Sequence, residues 1–148
     1  MKEIKFIYFD VGNVLNDLSS SFDETTKKFN IPSESFSEFW GEFDDDFTRG
    51  KITPDDFWKL AIKKFRLKNA EGFDFADSWA NGYIKREKTH RLVQKIKNRY
   101  RVGLITNHYI RMLDLSIEKG VVPNIKYDSI MASYEVGYRK PESEIYKI

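Results

Sequence analysis

Three short polar clusters, each at the end of an apolar run, hold the side chains best suited to chemistry. Asp10 follows Ile4, Phe6, Ile7, Tyr8 and Phe9 and opens the stretch Asp10-Val11-Gly12-Asn13-Val14-Leu15. Thr106 and Asn107 follow the run Val102 to Ile105, and Lys140 lies within Gly137-Tyr138-Arg139-Lys140-Pro141. A carboxylate, a hydroxyl and an ammonium gathered at one sheet edge could attack a phosphoryl group and neutralise its equatorial oxygens. Each residue also has a plainer reading. A lone Asp at a strand end commonly serves a turn, and Thr106 or Asn107 could simply cap the next helix.

The elements that would position these residues follow from hydrophobic period. The run before Asp10 is short and almost continuously apolar, the pattern of a buried parallel strand. From there to about Lys88 the period is helical. Phe36, Phe39, Trp40, Phe43 and Phe47 share one face after Pro32-Ser33, and Phe57, Leu60, Ala61 and Phe65 share another after Thr53-Pro54. Thr53 reads as an N-cap with Pro54 at the first helical position. Phe22 with Phe29, and Phe75 with Trp79 and Tyr83, mark two further helices, so the insertion is expected to be a four-helix bundle. A basic amphipathic helix carrying Leu92, Val93 and Ile96 then leads into the strand Val102 to Ile105. A helix from Ile110 to Lys119 ends at Gly120, a strand spans Tyr127 to Ser133, and Pro141 opens a last helix. Strand, helix, strand, helix, strand predicts an open α/β sheet with ligands at the carboxyl ends of its strands.

Within the insertion, Trp40 and Trp79 are expected in the bundle core, leaving Trp58 as the tryptophan placed to line a pocket. Asp44-Asp45-Asp46 reads as a solvated face, and His90 and His108 as surface histidines.

Composition excludes several classes. The 148 residues carry 25 Lys and Arg against 23 Asp and Glu, scattered without a basic stripe, so no nucleic-acid partner is expected. The absence of cysteine removes disulfides, thiolate catalysis and thiolate-held zinc. No leader pattern and no long apolar span is present, so a soluble cytoplasmic protein without membrane contact is expected.

Taken in order, the three clusters resemble motifs I, II and III of the haloacid dehalogenase (HAD) superfamily. The most specific part is Tyr127 to Tyr146, containing Gly-Tyr-Arg-Lys-Pro. The resemblance implies a Rossmann-like α/β core built from residues 1–16 and 89–148, with residues 17–88 as an inserted α-helical cap. It implies Asp10 as a covalent nucleophile, Thr106 and Lys140 as its catalytic partners, and Mg2+ held by Asp10 and the backbone carbonyl of Gly12. Asn107 and Asp17 are the candidate substrate-binding residues, Asp17 also as a substitute proton donor. The implied partner is a small phosphorylated metabolite, and motif I is most similar to the branch containing glucose-1-phosphate phosphatases.

Two departures bear on activity. Phosphatases of the superfamily usually carry a second Asp two residues after the nucleophile, where this chain has Gly12. A proton-transfer group of that kind is worth roughly 10²–10⁴ in rate. Motif IV, a further strand ending in an acidic pair, would lie beyond Ile148, so the core is expected to be C-terminally truncated and to self-associate through an exposed sheet edge. Two alternatives stand beside the phosphatase. One is a 2-haloacid dehalogenase, which needs no metal but usually has Tyr in place of Gly12 and an Arg in the loop leading to the cap. The other is an inactive binding module on a HAD scaffold.

Overall fold

A computed structural model describes residues 3–147. Strand β1 (Phe6–Phe9) pairs in parallel with β4 (Arg101–Thr106), which pairs in parallel with β5 (Ser129–Ala132), giving the sheet order β1-β4-β5. The register sets Phe9 opposite Leu104 and Thr106 opposite Ala132, so all three strands end at the same edge. The central strand β4 carries the most apolar stretch, and Val102 and Leu104 are fully buried.

That burial comes from helices α6 (Glu87–Lys97) and α7 (Met112–Glu118), the connections before and after β4. Val93 of α6 and Leu113 of α7 join Val102, Leu104, Val11, Leu15 and Ala132 in one core cluster. The other sheet face is more open. Phe6 and Tyr8 stack there at 4.5 Å, and Tyr8 remains 45% exposed. Gly103 lies beneath them; a Cβ at this position would come within 2.7 Å of the Tyr8 ring and 2.9 Å of Phe6. Glycine is what allows the two rings to lie against the central strand.

Between β1 and α6 the chain leaves the sheet through a narrow neck and returns through it. Strand β2 (Asn16–Asp17) pairs antiparallel with β3 (Ile84–Lys85), and Arg86 reinforces the crossing with bonds to the Asn16 carbonyl (3.2 Å) and the Asp17 carboxylate (3.0 Å). These two-residue strands have no hydrophobic period of their own.

The insertion contains five helices, not four: α1 (Asp23–Phe29), α2 (Ser33–Gly41), α3 (Asp44–Thr48), α4 (Pro54–Phe65) and α5 (Phe75–Asn81). At the start of α4, Thr53 accepts a bond from the Asp56 backbone N–H at 3.1 Å, with Pro54 in the first turn. The bundle centre is aromatic. Phe36, Phe47, Phe57 and Phe75 are fully buried, and edge-to-face pairs such as Phe36 with Phe57 at 5.8 Å fill it. Trp79 is buried there too, whereas Trp40 is only partly so. Tyr109, just after β4, stacks on Trp79 at 4.9 Å and so joins the insertion to the sheet.

The structure also places other residues that the sequence singled out. Trp58 is largely buried, its indole N–H donating to the Ala70 carbonyl at 3.0 Å, and it does line a cavity, together with Asp55, Phe73 and Arg111. His90 is buried because Nε2 lies between the carbonyls of Leu15 (3.0 Å) and Val121 (3.1 Å). His108 is buried as well, at the end of β4. After Pro141 there is only a 3-10 turn, Ser143–Tyr146; Ile148 lies outside the described residues.

Candidate active site

Asp10 leaves β1 at the sheet edge with its side chain 40% exposed. One carboxylate oxygen accepts the Val11 N–H at 2.8 Å, and the other meets Lys140 Nζ at 2.7 Å. Lys140 comes from the loop after β5, more than a hundred residues away in sequence, and its side chain is only 21% exposed. The loop after Asp10 turns sharply, because the Val11 carbonyl accepts the N–H groups of Val14 and Leu15 at 3.2 and 2.9 Å. Asn13 supports that turn in the left-handed conformation at φ 58°.

Thr106 closes β4 and is fully buried, its hydroxyl making only a long 3.4 Å bond to the Asn107 carbonyl. Asn107 is used differently from either sequence reading. Its amide oxygen accepts the Lys140 N–H at 2.7 Å, and its amide nitrogen donates to the Lys140 carbonyl at 3.0 Å. This two-point clamp fixes the backbone that carries the lysine. No pattern in the sequence marks it, since the partner is a main chain from a distant loop.

His108 continues the stitching. Its N–H donates to Ser133 Oγ at 3.1 Å, and Ser133 Oγ donates to the His108 carbonyl at 3.3 Å. Burial holds the His108 imidazole down at about 4, opposed by the Tyr109 backbone bond and by the charge of Asp10. Because Nδ1 accepts the Tyr109 N–H at 3.0 Å, the ring hydrogen sits on Nε2.

Asp17 is engaged at the neck. It accepts the Ser19 N–H at 2.9 Å and pairs with Arg86 at 3.0 Å, and these bonds, the Ser19 backbone bond foremost, hold its carboxyl below the usual range. An ionised, occupied carboxylate of this kind favours a structural use over proton donation. A Cβ at Gly12 would meet Leu18 Cδ1 at 3.3 Å, a tight approach to the end of a flexible side chain.

The oxygens that could hold magnesium are of the right hard type, the Asp10 carboxylate and the Gly12 carbonyl. They are few: among the described residues no group of three or more His, Cys, Asp or Glu side chains could hold a metal ion. A cavity of about 310 Å³ lies beside this region, walled by Leu18, Phe22, Trp40, Trp79, Tyr83 and Tyr109. None of Asp10, Thr106 or Lys140 lines it; Tyr109, three residues after Thr106, is among its walls.

No protein-family model matches the chain, and no curated protein does. Solved structures do. A HAD family enzyme from Bacteroides thetaiotaomicron superposes with a TM-score of 0.77 at 21% identity, covering 99% of this chain and 76% of that one. Its complex with magnesium and inorganic phosphate gives 0.73 at 20% identity over 98% and 76% of the two chains. L-2-haloacid dehalogenase from Xanthobacter autotrophicus, with chloropropionic acid covalently bound, gives 0.66 at 17% identity over 98% and 63%. The α/β sheet with its helical insertion is therefore the HAD fold.

Proposed function

We propose that this chain is a HAD-type phosphohydrolase that acts on a small phosphorylated metabolite through an aspartyl-phosphate on Asp10. The observation that carries this reading is the 2.7 Å pair between Asp10 and Lys140, formed at the sheet edge where Thr106 also ends its strand. An Asp10 carboxylate oxygen attacks phosphorus in line as Lys140 turns to the phosphate, the P–O bond to the leaving group breaks, and water later hydrolyses the acyl phosphate to regenerate Asp10. Lys140 and the Thr106 hydroxyl bind the equatorial oxygens, where charge spreads in the transition state.

Magnesium, when bound, would screen the carboxylate from the phosphate, with Asp10 and the Gly12 carbonyl as its protein ligands. Two protein oxygens make a weak site alone, and magnesium commonly completes its shell with waters and phosphate oxygens. The fold's likeness to an enzyme crystallised with magnesium and inorganic phosphate supports magnesium and phosphate as ligands here. The leaving group must take its proton from solvent or from a group other than residue 12, so slow turnover is expected.

The test is release of inorganic phosphate from a panel of phosphorylated metabolites with and without magnesium. Turnover that requires magnesium and is lost in Asp10→Asn supports the reading. No release from any substrate, or release that survives Asp10→Asn, overturns it. The sparse metal donors favour one second reading, a 2-haloacid dehalogenase in which Asp10 attacks carbon and no metal is needed. Halide release from a 2-haloacid without added metal would establish that reading instead.

A further inference from the structure

Lys140 is held from two sides. From the sheet, Asn107 clamps its main chain through both amide atoms. From the insertion, a charged cluster on α3 grips the two residues that bracket it, Arg139 and Glu142. Arg139 reaches Thr48 Oγ1 and Asp44 Oδ2, each at 3.0 Å, and approaches Asp45 at 3.5 Å. Arg49, which follows α3, forks onto the Glu142 carboxylate through both terminal nitrogens and also donates to the Gly137 carbonyl at 3.1 Å. The Arg49 Nε bonds Asp45 at 2.9 Å. Glu142 in turn accepts the Arg139 N–H at 3.0 Å, and the Glu142 N–H donates to the Arg139 carbonyl at 2.8 Å, closing the loop around Lys140.

The surroundings make this a built contact. The side chains of Arg49, Arg139, Asp44 and Glu142 are between 24% and 33% exposed, so the pairs are less screened than ordinary surface pairs. Forked guanidinium–carboxylate bonds also fix orientation as well as charge. Gly50, at φ 70°, lies so close to the Tyr134 carbonyl that no side chain would fit there, which seats the end of α3 directly on the short helix Ser133–Val136 that follows β5. The three successive acids at 44–46 are therefore largely committed. Asp44 and Asp45 bind Arg139 and Arg49, and Asp46 pairs with Lys51 at 3.2 Å.

We propose that Arg139 and Glu142, latched to Asp44, Thr48 and Arg49 of the helical insertion, are positioning residues for Lys140, so that seating of the insertion sets the phosphate grip. This rests on the reading of Lys140 as a phosphate ligand. When the latch is made, the loop holds the ammonium within bonding distance of the Asp10 carboxylate. When it is broken, only the Asn107 clamp and the lysine's own flexible stem locate it. Reaction geometry is sensitive to displacements of about 1 Å, so a loosened loop should weaken phosphate binding without removing any group that touches phosphate.

The test uses the full chain and inorganic phosphate as probe, with binding followed by calorimetry in magnesium. Lys140→Ala reports whether phosphate is held through this lysine. Arg49→Glu and Glu142→Arg each break the latch by placing like charges together, and the double exchange restores an opposite pair. The expected result is a roughly tenfold loss of phosphate affinity in each single variant, recovered in large part in the double exchange. Thermal unfolding run in parallel confirms that the variants are folded, and Arg49→Lys, which keeps the charge but loses the fork, gives a milder loss if a reversal variant fails to fold. Phosphate binding that depends on Lys140 but is unchanged by Arg49→Glu and Glu142→Arg, or by Arg49→Lys where those do not fold, would overturn the latch alone. Phosphate binding that is absent, or indifferent to Lys140→Ala, would overturn the phosphate reading and the latch with it.

Discussion

At Gly12 the chain lacks a proton donor but has room for one. A Cβ there would touch only the end of the flexible Leu18 side chain, at 3.3 Å, and Gly12 does not occupy the left-handed region that would demand glycine. Gly12→Asp should therefore be accommodated, and on the phosphatase reading it should raise phosphate release by roughly 10²–10⁴, the usual worth of a placed acid–base group. Steady-state turnover of the best substrate from a metabolite panel measures this; an unchanged or lower rate in a folded variant would mean that the proton is already supplied elsewhere. At this scale the sequence was informative for some residues and silent for others. Asp10, Thr106 and Lys140 could be singled out as candidates because their strand-end clusters resemble, in order, the three motifs of the HAD superfamily. Asn107 could not be assigned, because its partner is the Lys140 main chain, 33 residues away, and only the fold brings the two together. The acids at 44–46 were read only as a solvated face, because the reach of Arg139 to Asp44 depends on the fold.

The elements repeat this division. Strands β1 and β4 and helices α2 and α4 could be read because each has its own period, caps or apolar run. Helix α3 is five residues long, and β2 and β3 are two residues each, too short for any period to appear. They exist because the neck and the charged loop after β5 hold them. The histidines were misjudged for a related reason, since a histidine beside polar residues looks exposed unless its tertiary partner is known. His108 ties the ends of β4 and β5 together, and this has a consequence for stability. The unfolded chain takes up a proton on this imidazole below its ordinary value of 6.5, while the folded chain keeps it neutral down to about 4. As the pH falls through that window the unfolded state binds the extra proton, so stability is lost, by about 3 kcal/mol in all. Urea unfolding at pH 7 and pH 4.5 should show the drop, and His108→Asn should flatten it. An equal drop in the variant would assign the pH dependence to other groups.

Across the whole molecule, the helical insertion is fastened to the core at several places. Arg86 pins the neck, Tyr109 enters the aromatic core beside Trp79, and the Arg49 and Arg139 cluster grips the loop that carries Lys140. Further pairs, Arg111 with Asp74 and Lys119 with Asp77, each at 2.6 Å, join α7 to the region of α5. The arrangement is thus held by aromatic packing and by charge, and the lysine paired with Asp10 lies in a segment that both the sheet and the insertion constrain. The central claim is that Asp10 forms a covalent phosphoryl intermediate with Lys140 and Thr106 gripping the transferred group. It is tested most directly by mass spectrometry of protein acid-quenched after incubation with acetyl phosphate and magnesium. The account predicts a phosphoryl adduct on the peptide carrying Asp10, abolished in Asp10→Asn and diminished in Lys140→Ala. An adduct that persists in Asp10→Asn, or magnesium-dependent phosphate release with no adduct on that peptide, would contradict it.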